Sequence, residues 1–220
     1  MRKVLVVLFI MIIKLFGLEK IDLGVDVFFK DSKHSALNNK KIALIINQTS
    51  VNKDLKPTLE VFLENSKNYE VIKIFSPEHG LNGAAYAGEK VQDFKKQSLQ
   101  VCSLYGKTRR PTAEMLKNVD VIVYDIQEIG CRPYTYAATL YYVMEEAAKN
   151  NIKVIVLDRP NPINGLLVDG PMLEEQYRSF LGYINVPYCH GMTIGELAIF
   201  FNGEYKVNCE LEVIAMNGWK

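Results

Sequence analysis

The sequence predicts an α/β fold, a mostly parallel and doubly wound sheet, from two observations. Short β-branched apolar runs alternate with longer segments of helical period along most of the 220 residues, as strands joined by crossover helices do. Each run also ends in a polar or proline-bearing cluster, and right-handed crossovers bring all such strand ends to one edge of the sheet. The length gives room for one full domain and part of a second.

The first segment, 1–19, is of a different kind. Arg2 and Lys3 precede an apolar run over 4–13 that Lys14 interrupts, which reads as an export signal or N-terminal anchor. The run is too short to span a bilayer comfortably, so membrane contact is expected only through this segment if it stays uncleaved. The expected location is periplasmic or extracellular. Cys102, Cys131, Cys189 and Cys209 match no zinc spacing and read as buried free thiols or at most one disulfide.

Residues 20–202 make the expected Rossmann-like catalytic domain. After a linker containing Gly24 and a polar stretch over 30–40, the first strand covers 41–46 and ends in Asn47-Gln48-Thr49. A helix over 57–66 takes Pro57 into its first turn and presents Leu59, Phe62 and Leu63 as an apolar stripe. The next strand, 69–75, stops at Pro77, which cannot donate to a ladder. Residues 81–96 read as a long loop. A strand over 99–104, a helix over 112–118 and a buried strand over 119–124 follow, and the last of these ends in Asp125 to Gly130.

A helix runs from Tyr134-Thr135-Tyr136 to about residue 149, and a strand over 153–157 leads into Asp158-Arg159-Pro160-Asn161-Pro162. The remainder is looser, with a helical piece expected over 172–180. Thr193 and Glu196 fit a capping box at the head of a helix reaching residue 201. Residues 209–215 alternate as a half-buried strand, and 203–220 are expected to open a truncated second domain or form a connecting strand.

The topology should bring four polar clusters to one crevice: Asn47 to Thr49, Glu78-His79, Asp125 to Glu128 with Arg132, and Asp158 to Asn161. Glu78, pinned between Pro77 and Gly80, has little freedom to point away from the crevice and suits a general acid whose pKa burial could raise. Glycoside hydrolysis uses two carboxyl groups, and Asp125 or Glu128 could supply the second. The bland alternative pairs Asp125 or Asp158 with Arg132 or Arg159. Tyr134 and Tyr136 suit stacking on a sugar or a place in the core, and His79 suits orienting a loop.

Other chemistries lack their motifs. GxGxxG, Walker, GxSxG and HExxH patterns are absent, so no cofactor and no metal is expected, although His79, His190, Asp125, Glu128 and Asp158 are ligand types. A net charge of +1 and 49% apolar residues speak against disorder and against a nucleic-acid partner.

Six ordered blocks resemble the signature of the NamZ-type exo-β-N-acetylmuramidases. They are Ser76-Pro77-Glu78-His79-Gly80; Ala87-Gly88-Glu89; Leu104-Tyr105-Gly106; Asp125 to Gly130 with Arg132 and Tyr134-Thr135-Tyr136; Leu157 to Pro162; and His190-Gly191-Met192-Thr193 with Gly195-Glu196. The resemblance implies a Rossmann-like domain that releases terminal N-acetylmuramic acid from a peptidoglycan-derived muropeptide or disaccharide. It implies Glu78 as acid/base and makes Arg132 a candidate for the lactyl carboxylate; Asn47, His79, Glu89, Gln127, Tyr134, Tyr136, Asp158, Asn161 and His190 are the substrate-binding residues expected around the crevice. Family members continue into a second domain, so the chain is expected to lack the C-terminal domain. A catalytically impaired muropeptide-binding protein and a metal-dependent hydrolase are the alternative readings.

Overall fold

The structure, a computed structural model, describes residues 21–96 and 98–220; the expected export segment lies outside the described residues. Seven strands form one sheet: β1 (Lys41–Ile46), β2 (Glu70–Ser76), β3 (Phe94–Lys96), β4 (Leu99–Ser103), β5 (Val121–Asp125), β6 (Lys153–Leu157) and β7 (Leu211–Ile214). Their order is β3-β4-β2-β1-β5-β6-β7. Every neighbouring pair is parallel except β3 on β4, which is antiparallel at one edge.

Set β3 aside, and the six parallel strands run third, second, first, fourth, fifth, sixth. That is the doubly wound order of the Rossmann fold, and its direction of winding reverses between β1 and β5. A crevice opens outside the C-terminal ends of strands at such a reversal. The residues just beyond those two ends are Asn47 and Ile126-Gln127.

The sheet is covered on both faces because its strands are apolar on both. In β1, Ala43 and Ile45 join one core while Ile42, Leu44 and Ile46 join the other. In β5, Ile122 and Tyr124 face the first core and Val121 and Val123 the second. The first core is completed by α4 (Thr135–Lys149) and α5 (Ile194–Glu204), through Leu140, Met144, Leu197 and Phe201. The second is completed by α1 (Gly24–Lys30) and α2 (Thr58–Glu64), through Phe28 and Phe62; a short α3 (Ala113–Leu116) precedes β5.

Three expectations need correction. The stretch around Gly24 is a helix, because Val25, Val27 and Phe28 bury against the sheet. The loop expected over 81–96 contains β3, a short and largely exposed edge strand. The helix expected over 172–180 is only a 3₁₀ turn at Glu175–Tyr177 with no buried side chain, so it lacks the packing that holds a helix together. Residues 203–220, expected to open a truncated second domain or to form a connecting strand, include the expected strand as β7, which pairs in parallel with β6 at the edge of this sheet.

Candidate active site

Glu78 lies two residues beyond the C-terminal end of β2, beside β1 and therefore beside the winding reversal. His79 and Gly80 both take left-handed backbone conformations, φ +67° and +76°, which fold the chain back over the strand end. The return brings the Gly88 amide to Glu78 Oε1 at 3.0 Å, and the Thr135 hydroxyl donates to Oε2 at 2.7 Å. Tyr105 contributes a third, weaker hydroxyl donor. The carboxylate is thus buried, with only 6% of the residue exposed, yet well supplied with donors.

Burial is the largest single influence on Glu78 and pushes its pKa up. The Gly88 amide, the Thr135 and Tyr105 hydroxyls and nearby His79 together outweigh it, so the net shift is downward. This corrects the expectation of a raised pKa: the protein as it stands holds Glu78 ionised. Thr135 also opens α4, whose N-terminal dipole favours a negative charge.

Asp125 sits elsewhere in chemical terms. It is fully buried and held by Arg159 through Nε to Oδ1 at 2.6 Å and Nη2 to Oδ2 at 2.9 Å, with Thr58 donating to Oδ2 at 2.5 Å. Both oxygens are engaged, as the ion-pair alternative foresaw for this residue. Asp158 is likewise committed: it accepts from the Gly195 amide at 2.8 Å and the Thr193 hydroxyl at 3.0 Å, at the head of α5. Burial raises its pKa against those hydrogen bonds.

Glu128 and His190 form a second buried pair. Glu128 Oε1 accepts from the Gly130 amide at 2.6 Å, and its Oε2 lies 3.4 Å from His190 Nε2. The Met192 amide donates to His190 Nδ1 at 3.2 Å, so the ring's proton belongs on Nε2, which is buried near Glu128 Oε2 without a hydrogen bond between the two. Glu128 is only 2% exposed, so in this arrangement it orders the loop after β5.

The remaining candidates divide between rim and scaffold. Asn47 is buried and accepts from Thr49 through Oδ1; with Gln48, Leu81 and Asn82 it lines a cavity of about 240 Å³. Gln127 ties the loops together by donating to the Glu128 and Pro160 carbonyls, each at 2.7 Å. Asn161 donates to the Met192 carbonyl and accepts from the Ile163 amide. Arg132, half-buried, donates through Nη1 to the Pro171 and Val186 carbonyls. His79 Nδ1 meets the Ala85 carbonyl at 2.9 Å and so orients the loop, and exposed Glu89 accepts from the Tyr86 amide within it.

Of the two tyrosines only Tyr134 keeps exposed surface. Tyr136 is fully buried beneath it, rings edge-on at 4.6 Å, so Tyr136 cannot stack on a sugar; its hydroxyl makes a long 3.5 Å contact with the Glu78 carbonyl. Gly88, Tyr105 and Thr135, which set the state of Glu78, were not singled out from the sequence as site residues. All three lie within the blocks that carry the family resemblance, and Thr135 also stands at the start of a helix following a strand end. Among the described residues, no three His, Cys, Asp or Glu side chains gather as metal ligands would.

Comparison with known proteins shows the family. The family described as "Exo-beta-N-acetylmuramidase NamZ, N-terminal" matches residues 42–220. The peptidoglycan beta-N-acetylmuramidase NamZ of Bacillus subtilis (strain 168) is 46% identical over 203 residues, covering 91% of this chain and 49% of that protein. Two crystal structures of DUF1343 family proteins from Bacteroides fragilis NCTC 9343 share the fold. One is 44% identical with a TM-score of 0.83 over 92% of this chain and 51% of its own. The other is 34% identical with a TM-score of 0.77 over 91% and 53%. The chain therefore spans about half the length of these relatives.

Proposed function

This chain belongs to the NamZ exo-β-N-acetylmuramidase family, and from that premise we propose that it is an exo-acting glycoside hydrolase of peptidoglycan fragments. In this reading it releases terminal N-acetylmuramic acid outside the cytoplasm. The observation that carries it is Glu78: a buried carboxylate at a strand end next to the winding reversal, with its charge governed by three donors. Asp125 and Asp158 are spent on structural partners and Glu128 is buried against the Gly130 amide, which favours Glu78 as the residue that handles the proton of the glycosidic oxygen.

Its low pKa fits that task if binding changes the balance of donors. A sugar oxygen that displaces the Gly88 amide from Oε1, while excluding water, removes a lowering influence and strengthens the largest raising one. Glu78 would then take up a proton in the complex and pass it to the leaving oxygen. Arg132, with Nη1 engaged by two carbonyls, has its planar fork partly oriented for the lactyl carboxylate.

The test is release of the sugar from a chromogenic N-acetylmuramic acid glycoside, with and without chelator, by the wild type and by Glu78→Gln. The reading expects chelator-insensitive turnover and a loss of at least about 100-fold in the variant, with the melting temperature retained. Loss of turnover with chelator would favour a metal-dependent hydrolase, and saturable binding of a muropeptide without turnover a binding protein. Full activity in Glu78→Gln would remove the assignment.

A further inference from the structure

Cys131 and Cys189 face each other across an isolated antiparallel bridge at the rim of the crevice, Sγ to Sγ 3.9 Å, and both are half-buried. The hydrogen bonds on either side run from the Arg132 amide to the Tyr188 carbonyl at 2.8 Å and from the His190 amide to the Gly130 carbonyl at 3.4 Å. They flank the cysteines without joining them, which makes this a non-hydrogen-bonded pair. In such pairs the Cα atoms stand about 4.5 Å apart and the side chains are at their closest. That separation lies inside the range disulfides bridge, and the sulfurs need to approach by roughly 2 Å, which side-chain rotation supplies.

The other two cysteines are built differently. Cys102 is buried within β4 and Cys209 is buried just before β7, each without another cysteine facing it; burial raises both thiols, as it does that of Cys131. Cys189 is also fixed from its other side, where it exchanges two backbone hydrogen bonds with Asp169. The pair is therefore presented to solvent on a backbone that is already in register.

We propose that Cys131 and Cys189 are a disulfide site, a redox staple between the loop after β5 and the segment that carries His190. The oxidant is a disulfide, either glutathione disulfide or that of a thiol–disulfide exchange protein. One cysteine thiolate attacks it, forming a mixed disulfide and expelling one thiol; the second cysteine attacks the mixed disulfide and expels the other. Two electrons pass from the pair to the oxidant, two protons leave the cysteine thiols, and the oxidant ends as two thiols.

The staple closes a loop of 58 residues and ties together the segments that carry Glu128 and His190, which lie three and one positions from the two cysteines and whose Oε2 and Nε2 stand 3.4 Å apart. Closure of a loop that long restricts the unfolded chain, so oxidation should raise the melting temperature by about 5–10 °C. The proposal stands whether or not the muramidase reading does, since its readouts are covalent and thermal.

The experiment equilibrates the full chain in glutathione buffers of oxidising and reducing poise, traps free thiols with iodoacetamide and maps peptides without reduction. A Cys131–Cys189 linked peptide, a mass lower by 2 Da, and a melting temperature that rises on oxidation in the wild type and not in Cys131→Ala/Cys189→Ala are expected. Alkylation of both cysteines after oxidising equilibration, a stable glutathione adduct on either, or linkage to Cys102 or Cys209 would overturn it. So would a redox-dependent melting temperature in the double variant.

Discussion

The Thr135 hydroxyl donates to Glu78 Oε2 at 2.7 Å, so the first residue of α4 helps hold the charge of a residue two positions beyond β2. Thr135→Val removes that donor and keeps the shape. Burial then meets one fewer opposing influence, and the Glu78 pKa moves up. A ¹³C titration of the Glu78 carboxyl should show its midpoint at higher pH in Thr135→Val and unchanged in Thr135→Ser. The limb of the pH–kcat/KM profile that Glu78 controls should move the same way. An unmoved midpoint in the valine variant would mean that Thr135 does not set this charge.

Asp125 and Arg159 illustrate the opposite use of a carboxylate at a strand end. Removing one partner of a buried pair leaves the other uncompensated, at a cost of about 3–5 kcal/mol. Asp125→Ala should lose that much in urea unfolding followed by circular dichroism. Asp125→Leu/Arg159→Met, in which neither charge remains, should lose less. A stable Asp125→Ala protein without turnover would return Asp125 to the chemistry.

The parallel sheet, its strand-end clusters and the α5 capping box were legible because each rests on a local signal. The Thr193 hydroxyl accepts from the Glu196 amide at 3.2 Å and Glu196 Oε2 from the Thr193 amide at 2.8 Å, as the spacing of the two residues predicts. The charge state of Glu78 was not legible, because it depends on Gly88, Tyr105 and Thr135 arriving from three separate segments. The helix at Gly24–Lys30 was hidden for a similar reason. Its glycine start and short length carry little propensity, and its stability comes from burying Val25 and Phe28 against strands distant in sequence.

Gly24 is also where that helix presses hardest on the sheet. Its amide donates to the Asp158 carbonyl at 2.9 Å, and a Cβ there would stand 2.2 Å from the Asp158 amide nitrogen and 2.7 Å from the Ile214 carbonyl oxygen. Both obstacles are backbone of the strand ends, so α1 must move away from β6 and β7. Gly24→Ala should therefore destabilise by about 1–3 kcal/mol despite alanine's better helix propensity. Gly203→Ala, where a Cβ meets nothing within 4 Å, provides the control and should leave the unfolding midpoint unchanged or raise it.

Asp22 anchors the start of the described chain to both Lys30, at 2.7 Å, and Lys53, at 3.0 Å. Hydrogen bonds from Lys30 and then Lys53 draw its pKa from the ordinary 3.8 down to about 2. The folded value is below the unfolded one, so protonation favours the unfolded chain. The stabilisation is complete above about pH 4 and is lost as the pH falls through the folded value near 2. Asp22→Asn abolishes the titration. Unfolding midpoints measured from pH 6 downward should show a constant gap between wild type and variant until about pH 4, then a narrowing gap toward pH 2. A gap that stays constant to pH 2 would show that the two lysines do not hold Asp22 in its ionised form. Added salt should shrink the plateau without reversing the direction of the change, because the lysine side chains are partly exposed and screened.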